Sequence, residues 1–307
     1  IFYPHNRVSE VQRRQMTTVN AKNIYCVAVD GTFDDCQDLV KAMFNDLSFR
    51  QEYNLSAINS INWARILAQV VYYFWAGLKL IGQKGSVSFS VPTGNFGNIF
   101  AGYLAKKMGL PVSQLIVGSN SNDILTRLLN TRKMRLSAVL PTLSPSMDIQ
   151  VSSNFERLLF LLYEGDSREI CRLLDELRTK GSFCMRQKEF QKFTKLFDGD
   201  CFDDAQTKEI IKSVFEENGV LIDPHTAIGI AAARTQKKDN NVPVICLATA
   251  HPAKFPNTVQ EATNVLPTLP KRLKNLYDDE EFVTILSNDL TVIKGFIKNT
   301  LSKKELR

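Results

Sequence analysis

The stretch that indicates the fold most directly runs Ser88-Phe89-Ser90-Val91-Pro92-Thr93-Gly94-Asn95-Phe96-Gly97-Asn98. Residues 86–91 predict a strand, and the residues after the loop predict a helix that ends near Met108. The loop between them contains two glycines, which lack a Cβ and let an anion approach the backbone closely. Its N–H groups can therefore converge on an anion at a helix N-terminus. A tight strand-to-helix turn that binds no ligand fits the same pattern.

Other predicted strands and helices alternate along the chain. Strands are predicted at Ile24–Val29, Gln114–Gly118 and Val242–Leu247, the last fully apolar and therefore buried. Helices are predicted at Phe33–Phe44, Ser60–Leu80, Phe155–Leu162, Arg168–Arg178, Lys188–Phe197, Gln206–Glu217 and Thr226–Gln236. The helix at 60–80 is apolar almost all round, which predicts burial on most sides, and residues 131–153 predict a long loop. Strands separated by helices imply parallel pairing, so the predicted fold class is α/β with a doubly wound, mostly parallel sheet.

The composition excludes several classes of protein. The chain has 307 residues, enough for two domains, and its 44% hydrophobic residues are too many for a disordered chain. The net charge of +6 is mild and lacks an aromatic–basic recognition motif, so we expect no nucleic-acid partner. We expect no membrane contact either, because no apolar run is long enough to span a bilayer. The sequence leaves the oligomeric state open.

Cysteine and histidine usage predicts the compartment. The six cysteines include no Cys-x-x-Cys pair, and several lie in apolar runs, which favours buried free thiols in a reducing compartment. No signal peptide is recognised, so we expect a cytoplasmic location. The three histidines are too scattered to predict a metal site.

A second candidate site follows the strand at 242–247 and runs Ala248-Thr249-Ala250-His251-Pro252-Ala253-Lys254-Phe255. A polar loop at the C-terminal end of a strand is where open α/β sheets bind ligands. The alternative is structural: Thr249 caps the following helix and His251 is an ordinary hydrogen-bonded histidine.

A third candidate site runs Asn59-Ser60-Ile61-Asn62-Trp63-Ala64-Arg65 at the start of a predicted helix. Two amides, a hydroxyl and an arginine at a helix N-terminus are well suited to a phosphate group. Capping by Ser60 or Asn62, with Arg65 on the surface, explains the pattern equally well.

Several motifs occur together and in a fixed order. They are Asn59-Ser60-Ile61-Asn62 with Arg65, Pro92–Asn98, Ser144–Gln150 with Ser153–Arg157, Asp223-Pro224-His225-Thr226-Ala227, and Thr249–Phe255. This set resembles the threonine synthases of the enteric-bacterial and fungal type over nearly the whole chain, from Ile1 to about Leu269. The resemblance implies the fold of the tryptophan synthase β-subunit group, fold type II of the pyridoxal 5'-phosphate enzymes. It also implies a carbon–oxygen lyase that converts O-phosphohomoserine and water to threonine and phosphate.

The resemblance implies roles for individual residues. The cofactor's phosphate is expected at Gly94, Asn95, Phe96, Gly97 and Asn98, and its ring nitrogen is expected to meet the hydroxyl of Thr249. The substrate's phosphate is expected at Asn59, Ser60 and Arg65, with Asn62 beside them. Two other interpretations remain open: a related phospho-lyase acting on a similar phosphorylated amino acid, and a non-catalytic fragment or scaffold.

The chain departs from the family's pattern in one large respect. Members carry a Phe-Lys-Asp sequence, whose lysine forms the Schiff base, and a Ser-Gly-Asp-Thr-Gly loop, and neither occurs here. The chain also opens on Ile1-Phe2-Tyr3-Pro4, which predicts a strand already in progress. We therefore expect a C-terminal portion, truncated at its N-terminus and inactive by itself, to which no catalytic residue is assigned. Residues 1–75 are expected to be the remainder of the smaller cofactor domain, and residues 76–307 the large domain with a helical insertion at about 155–220.

Overall fold

The computed structural model describes residues 1–56, 58, 62–82 and 85–305. The strands are β1 (Phe2–Pro4), β2 (Val27–Asp30), β3 (Val87–Pro92), β4 (Val112–Ser119), β5 (Lys133–Arg135), β6 (Ser182–Cys184), β7 (Phe197–Cys201), β8 (Val244–Cys246) and β9 (Thr284–Ser287). The helices are α1 (Glu10–Thr17), α2 (Phe33–Asn45), α3 (Leu47–Glu52), α4 (Trp63–Ile81), α5 (Gly97–Lys107), α6 (Ile124–Thr131), α7 (Phe155–Leu162), α8 (Ser167–Lys180), α9 (Gln187–Thr194), α10 (Asp204–Asn218), α11 (Pro224–Gln236), α12 (Pro256–Thr263) and α13 (Leu290–Glu305). Short 3₁₀ helices lie at Pro145–Met147, Pro252–Lys254 and Lys271–Leu273.

The chain forms two compact units. One comprises Ile1–Ser56 with Thr268–Arg307, and the other comprises Ala57–Pro267. These limits do not coincide with the expected division after residue 75, and they join the C-terminal segment to the first unit. The reason is packing, since Ile293 of α13 is fully buried in one hydrophobic cluster with Val27 and Val29 of β2. The assignment of functional domains stays a prediction.

The first unit contains a parallel three-stranded sheet in the order β1-β2-β9. Asp46 connects two of its helices. Its Oδ1 accepts a hydrogen bond from the Phe49 N–H at 3.1 Å and so caps α3, while its Oδ2 pairs with Lys294 Nζ of α13 at 2.5 Å. These contacts lower the pKa of Asp46 far below its ordinary value, the Lys294 hydrogen bond contributing most.

The second unit contains a parallel four-stranded sheet in the order β7-β4-β3-β8. This sheet confirms the predicted α/β class with mostly parallel pairing; the short β5-β6 pair is antiparallel. All six residues of β3 are buried, as expected for a central parallel strand.

Helix α11 lies very close to this sheet. A Cβ on Gly229 would lie 3.1 Å from Pro92 Cδ, and the Ser90 hydroxyl donates to the Gly229 carbonyl at 2.5 Å. At the other end of the helix, Gln114 Nε2 donates to the Gln236 carbonyl at 2.8 Å. The N-terminal end of α11 therefore lies beside the C-terminal end of β3.

The predicted burial of two elements was wrong. Only Ile66, Val70, Tyr73 and Gly77 of α4 are buried, because the helix packs on α5 and β3 with one face. Its other face exposes the apolar side chains of Trp63, Leu67, Val71, Trp75 and Leu78. Strand β8 is shorter than the predicted strand at 242–247 and half-buried, because within the described chain it pairs with β3 along one edge alone.

The predicted loop at 131–153 contains β5, a 3₁₀ helix and a partly buried polar network. Asp148 Oδ1 accepts hydrogen bonds from Asn120 Nδ2 at 2.7 Å, Asn122 Nδ2 at 3.0 Å and the Thr142 hydroxyl at 2.6 Å. Side-chain hydrogen bonds thus hold this segment where helical or strand periodicity is absent.

The six cysteines are all free. Cys26 and Cys36 are buried as predicted, whereas Cys171 and Cys184 are exposed, because they lie on the outer faces of α8 and β6. None of the helices in the described ranges combines the length and the apolar character that a bilayer crossing requires.

Candidate functional site

The loop Pro92–Asn98 is fixed at the end of β3 by its own backbone and side chains. The Thr93 N–H donates to the Gly118 carbonyl at 2.9 Å, and the Thr93 hydroxyl donates to the Val91 carbonyl at 2.7 Å. The chain then enters α5 at Gly97. Strand, loop and helix follow one another as the sequence predicts.

Phe96 is the N-cap of α5 and has an unusual conformation. Its φ of 62° is left-handed, which is costly for a bulky residue. The centroid of its buried ring lies 5.2 Å from that of Phe155 and 5.7 Å from that of Phe197. The aromatic packing compensates for the strained backbone. Phe96 supplies no side-chain acceptor to the first turn, so the N–H groups of that turn are available to an anion.

Asn98 is held by two tyrosines of α4. Its Oδ1 accepts a hydrogen bond from the Tyr72 hydroxyl at 2.6 Å, and the Tyr73 hydroxyl lies 2.9 Å from the Asn98 carbonyl oxygen and 3.0 Å from Oδ1. Burial raises the pKa of both tyrosines, so both hydroxyls keep their protons and donate. The amide oxygen is thereby engaged, and the Nδ2 hydrogens of Asn98 remain the groups that can serve a ligand.

A second segment supports the loop from its other side. The Ser152 hydroxyl donates to the Gly94 carbonyl at 2.7 Å, and the Asn154 N–H donates to the Asn95 carbonyl at 3.1 Å. A Cβ on Gly94 would lie 2.8 Å from the Ser146 carbonyl oxygen, closer than real Cβ atoms approach. Glycine is therefore required at position 94 for this close approach.

The N-terminus of α11 contributes a buried acid–imidazole pair. Asp223 is fully buried and caps the helix, with Oδ1 accepting from the His225 N–H at 2.9 Å. The same oxygen lies 2.9 Å from His225 Nδ1, and the Thr226 hydroxyl donates to Oδ2. The His225 ring also lies 5.0 Å from the Phe255 ring.

These elements surround one cavity of about 230 Å³, which lies wholly within the second unit. It is lined by Arg65, Ile66, Gln69, Pro92, Thr93, Gly94, Asn95, Phe96, Gly97, Asn98, Ser146, Met147, His225 and Thr249. All six residues predicted to contact the cofactor line it, and so does Arg65 from the predicted phosphate site. Within this lining, Arg65 has a permanent positive charge and no residue has a carboxylate, so the cavity suits an anion.

The remaining predicted residues lie elsewhere. Asn62 is not part of the lining and caps α4, because its Oδ1 accepts from the Ala64 N–H at 2.9 Å. Asn59 and Ser60 lie outside the described residues. The structural alternative for Thr249 does not hold, since His251 is the N-cap of the following 3₁₀ helix, with Nδ1 accepting from the Ala253 N–H at 3.2 Å.

Sequence reasoning assigned no role to Gln69, Ser146, Met147 or His225, all of which line the cavity. Ser146, Met147 and His225 belong to motifs that the resemblance used, so that signal was present. Gln69 carried no signal beyond its place on α4, one turn after Arg65.

A larger cavity of about 440 Å³ lies between α4, α5, α7 and α8. Its lining includes Trp63, Phe100, Phe160, Leu161 and Ile170 and is mostly apolar. It holds none of the residues predicted to bind a ligand.

Comparisons with known proteins agree on one family. Residues 226–297 match the family model described as "Threonine synthase, C-terminal". The chain is 51% identical over 298 residues to a threonine synthase of Pseudomonas aeruginosa, covering 97% of this chain and 64% of that protein. A relative from Saccharomyces cerevisiae with the same name is 41% identical, covering 100% of this chain and 65% of its own length.

Solved structures confirm the predicted fold. A crystal structure of pyridoxal-phosphate-bound threonine synthase from Brucella melitensis matches with a TM-score of 0.92 and 47% identity, covering 98% of this chain and 64% of that chain. The crystal structure of yeast threonine synthase matches with a TM-score of 0.90 and 40% identity, and the match covers 99% of this chain and 64% of the yeast chain. The chain thus spans about two thirds of the length of the relatives it matches.

Proposed function

The chain belongs to the threonine synthase family, and from this premise we propose that it forms the larger part of a pyridoxal 5'-phosphate-dependent lyase. The proposed reaction is the conversion of O-phosphohomoserine and water to threonine and phosphate. The convergence of the Gly94–Asn98 loop, Arg65 and Thr249 on one cavity is the observation that carries the proposal. Relatives at 41% and 51% identity are named for this activity, which favours it over a related phospho-lyase.

The residues present fit the cofactor's phosphate. Gly94 packs directly on the backbone of Ser146, which holds the loop in place, and the first turn of α5 has no side-chain cap at Phe96. The N–H groups of the loop and of that turn would hold the phosphate, aided by the partial positive charge of the helix end. When bound, pyridoxal phosphate supplies an electron sink for carbanion chemistry on the substrate.

Thr249 would orient the cofactor's ring. Thr249 lines the cavity from the loop after β8, whereas the phosphate loop follows β3, the neighbouring strand. A neutral hydroxyl that donates to the ring nitrogen leaves that nitrogen unprotonated and moderates the electron withdrawal of the ring. This role requires that Thr249 is not consumed by helix capping, and His251 performs that function instead.

Arg65 would bind the substrate's phosphate. It lines the cavity from the first turns of α4, and a guanidinium group makes bidentate, charge-assisted contacts with phosphate oxygens. The contributions of Asn59 and Ser60 remain part of the proposal. Asn62 would act in a supporting role, because its cap on α4 fixes the start of the helix that carries Arg65.

The test is an assay of threonine and phosphate formation by the protein that carries this chain. We expect turnover of O-phosphohomoserine that depends on added pyridoxal phosphate. Arg65→Ala should raise KM by roughly tenfold or more, since a hydrogen bond to a charged group contributes about 1.5–3 kcal/mol. Arg50→Ala in the first unit is the matched control, because it removes an arginine that does not line the cavity. Unchanged KM in the Arg65 variant would remove Arg65 from the site.

A further inference from the structure

His225 has an unused ring nitrogen at the candidate site. His225 is one of the residues that line the 230 Å³ cavity, and it is only 5% exposed. Its Nε2 is buried and has no hydrogen-bond partner among residues 1–56, 58, 62–82 and 85–305. Buried polar atoms in native proteins are nearly always paired, so an unpaired one on a residue that lines a ligand cavity indicates a missing partner.

Asp223 fixes the ring and its tautomer. The carboxylate is fully buried and takes hydrogen bonds from the His225 N–H, the Thr226 N–H and the Thr226 hydroxyl, so it is an acceptor. The proton on His225 must therefore lie on Nδ1, 2.9 Å from Asp223 Oδ1. A carboxylate held against one nitrogen in this way orients the other nitrogen toward its partner.

The tautomer determines what Nε2 can bind. In the neutral imidazole, the proton on Nδ1 leaves a lone pair on Nε2. Nε2 is therefore an acceptor, whereas the N–H groups of the loop and the guanidinium of Arg65 in the same lining are donors. It is complementary to a part of the ligand that carries hydrogen, not to the phosphate.

We propose that His225 binds the ligand of this cavity by accepting, through Nε2, a hydrogen bond from a hydroxyl or ammonium group. The identity of the ligand rests on the function proposed above. Both the cofactor, with its ring hydroxyl, and the amino-acid substrate, with its ammonium group, carry the required hydrogen. Asp223 is the residue that positions this contact.

The experiment observes the histidine nitrogens directly, in protein labelled with ¹⁵N-histidine. This chain contains three histidines, and His225→Gln identifies the resonances of His225 by their loss. Pyridoxal 5'-phosphate and O-phosphohomoserine are added separately, so the probe that moves the Nε2 resonance identifies the source of the hydrogen. Sulfate is the control, because it is an anion without a hydrogen to donate.

We expect Nε2 to be unprotonated in free protein and to shift, still unprotonated, with at least one of the two ligands. Binding that leaves Nε2 unmoved, binding that protonates it, or an equal shift with sulfate would each overturn the contact and leave the proposed function standing. If neither ligand binds, as followed by cofactor absorbance and by the amide resonances of residues 94–98, the proposed function fails together with this inference.

Variants separate this contact from a purely structural role. His225→Phe keeps a ring against Phe255 and deletes Nε2, and His225→Gln provides a second variant if the first does not fold. Both variants should raise the Kd of the ligand that shifts the Nε2 resonance by roughly three- to tenfold. Phe255→Leu removes the tilted ring contact and keeps the imidazole on Asp223, so the Kd of the ligand should stay unchanged. His5→Gln is the control for histidine loss. An equal weakening in Phe255→Leu would show that His225 acts by packing.

Discussion

Replacing Gly94 with alanine places a methyl group against backbone atoms that cannot rotate away. The new Cβ would lie 2.8 Å from the Ser146 carbonyl oxygen and 3.1 Å from Met147 Cα. Ordinary contact begins at 3.4 Å, so one of the two segments must move by about 0.6 Å. Either the 3₁₀ helix at 145–147 retreats or the loop at 92–98 moves away from it.

Both responses have measurable consequences. Overpacking of this kind costs about 1–3 kcal/mol, which lowers Tm by several degrees, roughly 2–4 °C per kcal/mol for a protein of this size. Displaced N–H groups should also weaken the binding of pyridoxal phosphate, by roughly tenfold for each 1.4 kcal/mol lost. The measurements are a thermal melt followed by circular dichroism and a titration followed by cofactor absorbance.

The matched control is Gly295→Ala, where a Cβ on α13 meets nothing within 4 Å. This variant should keep the affinity for pyridoxal phosphate and gain a little helix stability. If Gly94→Ala keeps both the Tm and the Kd of the unaltered protein, the loop is not closely packed on residues 145–147 and the description of the phosphate site is wrong.

Three further predictions concern single side chains. Thr249→Val should weaken pyridoxal phosphate binding roughly three- to tenfold, because it removes one hydrogen-bonding hydroxyl. The Tm should not change, because the residue is exposed. An unchanged Kd would exclude Thr249 from the ring contact. Asp46→Asn keeps an N-cap residue but loses the ion pair with Lys294. Because the folded-state pKa of Asp46 is depressed, the urea midpoint of the unaltered protein should exceed that of the variant by its full amount above the ordinary aspartate pKa of about 3.9, and the difference should shrink as the pH falls below that value. A difference that does not depend on pH would contradict the ion-pair account. Burial raises the pKa of Cys36 and Cys246 to about 11, whereas Cys171 and Cys184 are exposed. Iodoacetamide at pH 8 should therefore label Cys171 and Cys184 first in a mass-spectrometric time course. Equally fast labelling of Cys246 would contradict its burial.

The sequence predicts best where local chemistry and tertiary structure agree. The strand–loop–helix at 86–108 is predicted because a strand pattern, two glycines and a helical pattern follow one another, whereas the left-handed backbone of Phe96 depends on tertiary packing against Phe155 and Phe197. The parallel class followed from the alternation of elements. The shared cavity of Gly94–Asn98 and Thr249 was expected from the resemblance alone, because no local pattern relates residues more than 150 positions apart.

Burial depends on which partners an element meets, and sequence does not record them. An apolar surface on all sides of α4 predicts burial, but the described structure packs one stripe and leaves Leu67, Val71 and Trp75 exposed. The role of Asn62 was ambiguous for the same reason. An amide at a helix N-terminus can cap the helix or bind an anion, and only the 2.9 Å contact with the Ala64 N–H distinguishes the two.

A crystal structure of the protein that carries this chain, grown with pyridoxal 5'-phosphate, is the most direct test of the proposed site. We predict the phosphate within about 3 Å of the N–H groups of residues 94–98 and the ring nitrogen within about 3 Å of the Thr249 hydroxyl. A cofactor found instead in the apolar cavity beside Trp63 and Phe160, or a phosphate that leaves the Gly94–Asn98 loop untouched, would contradict the account.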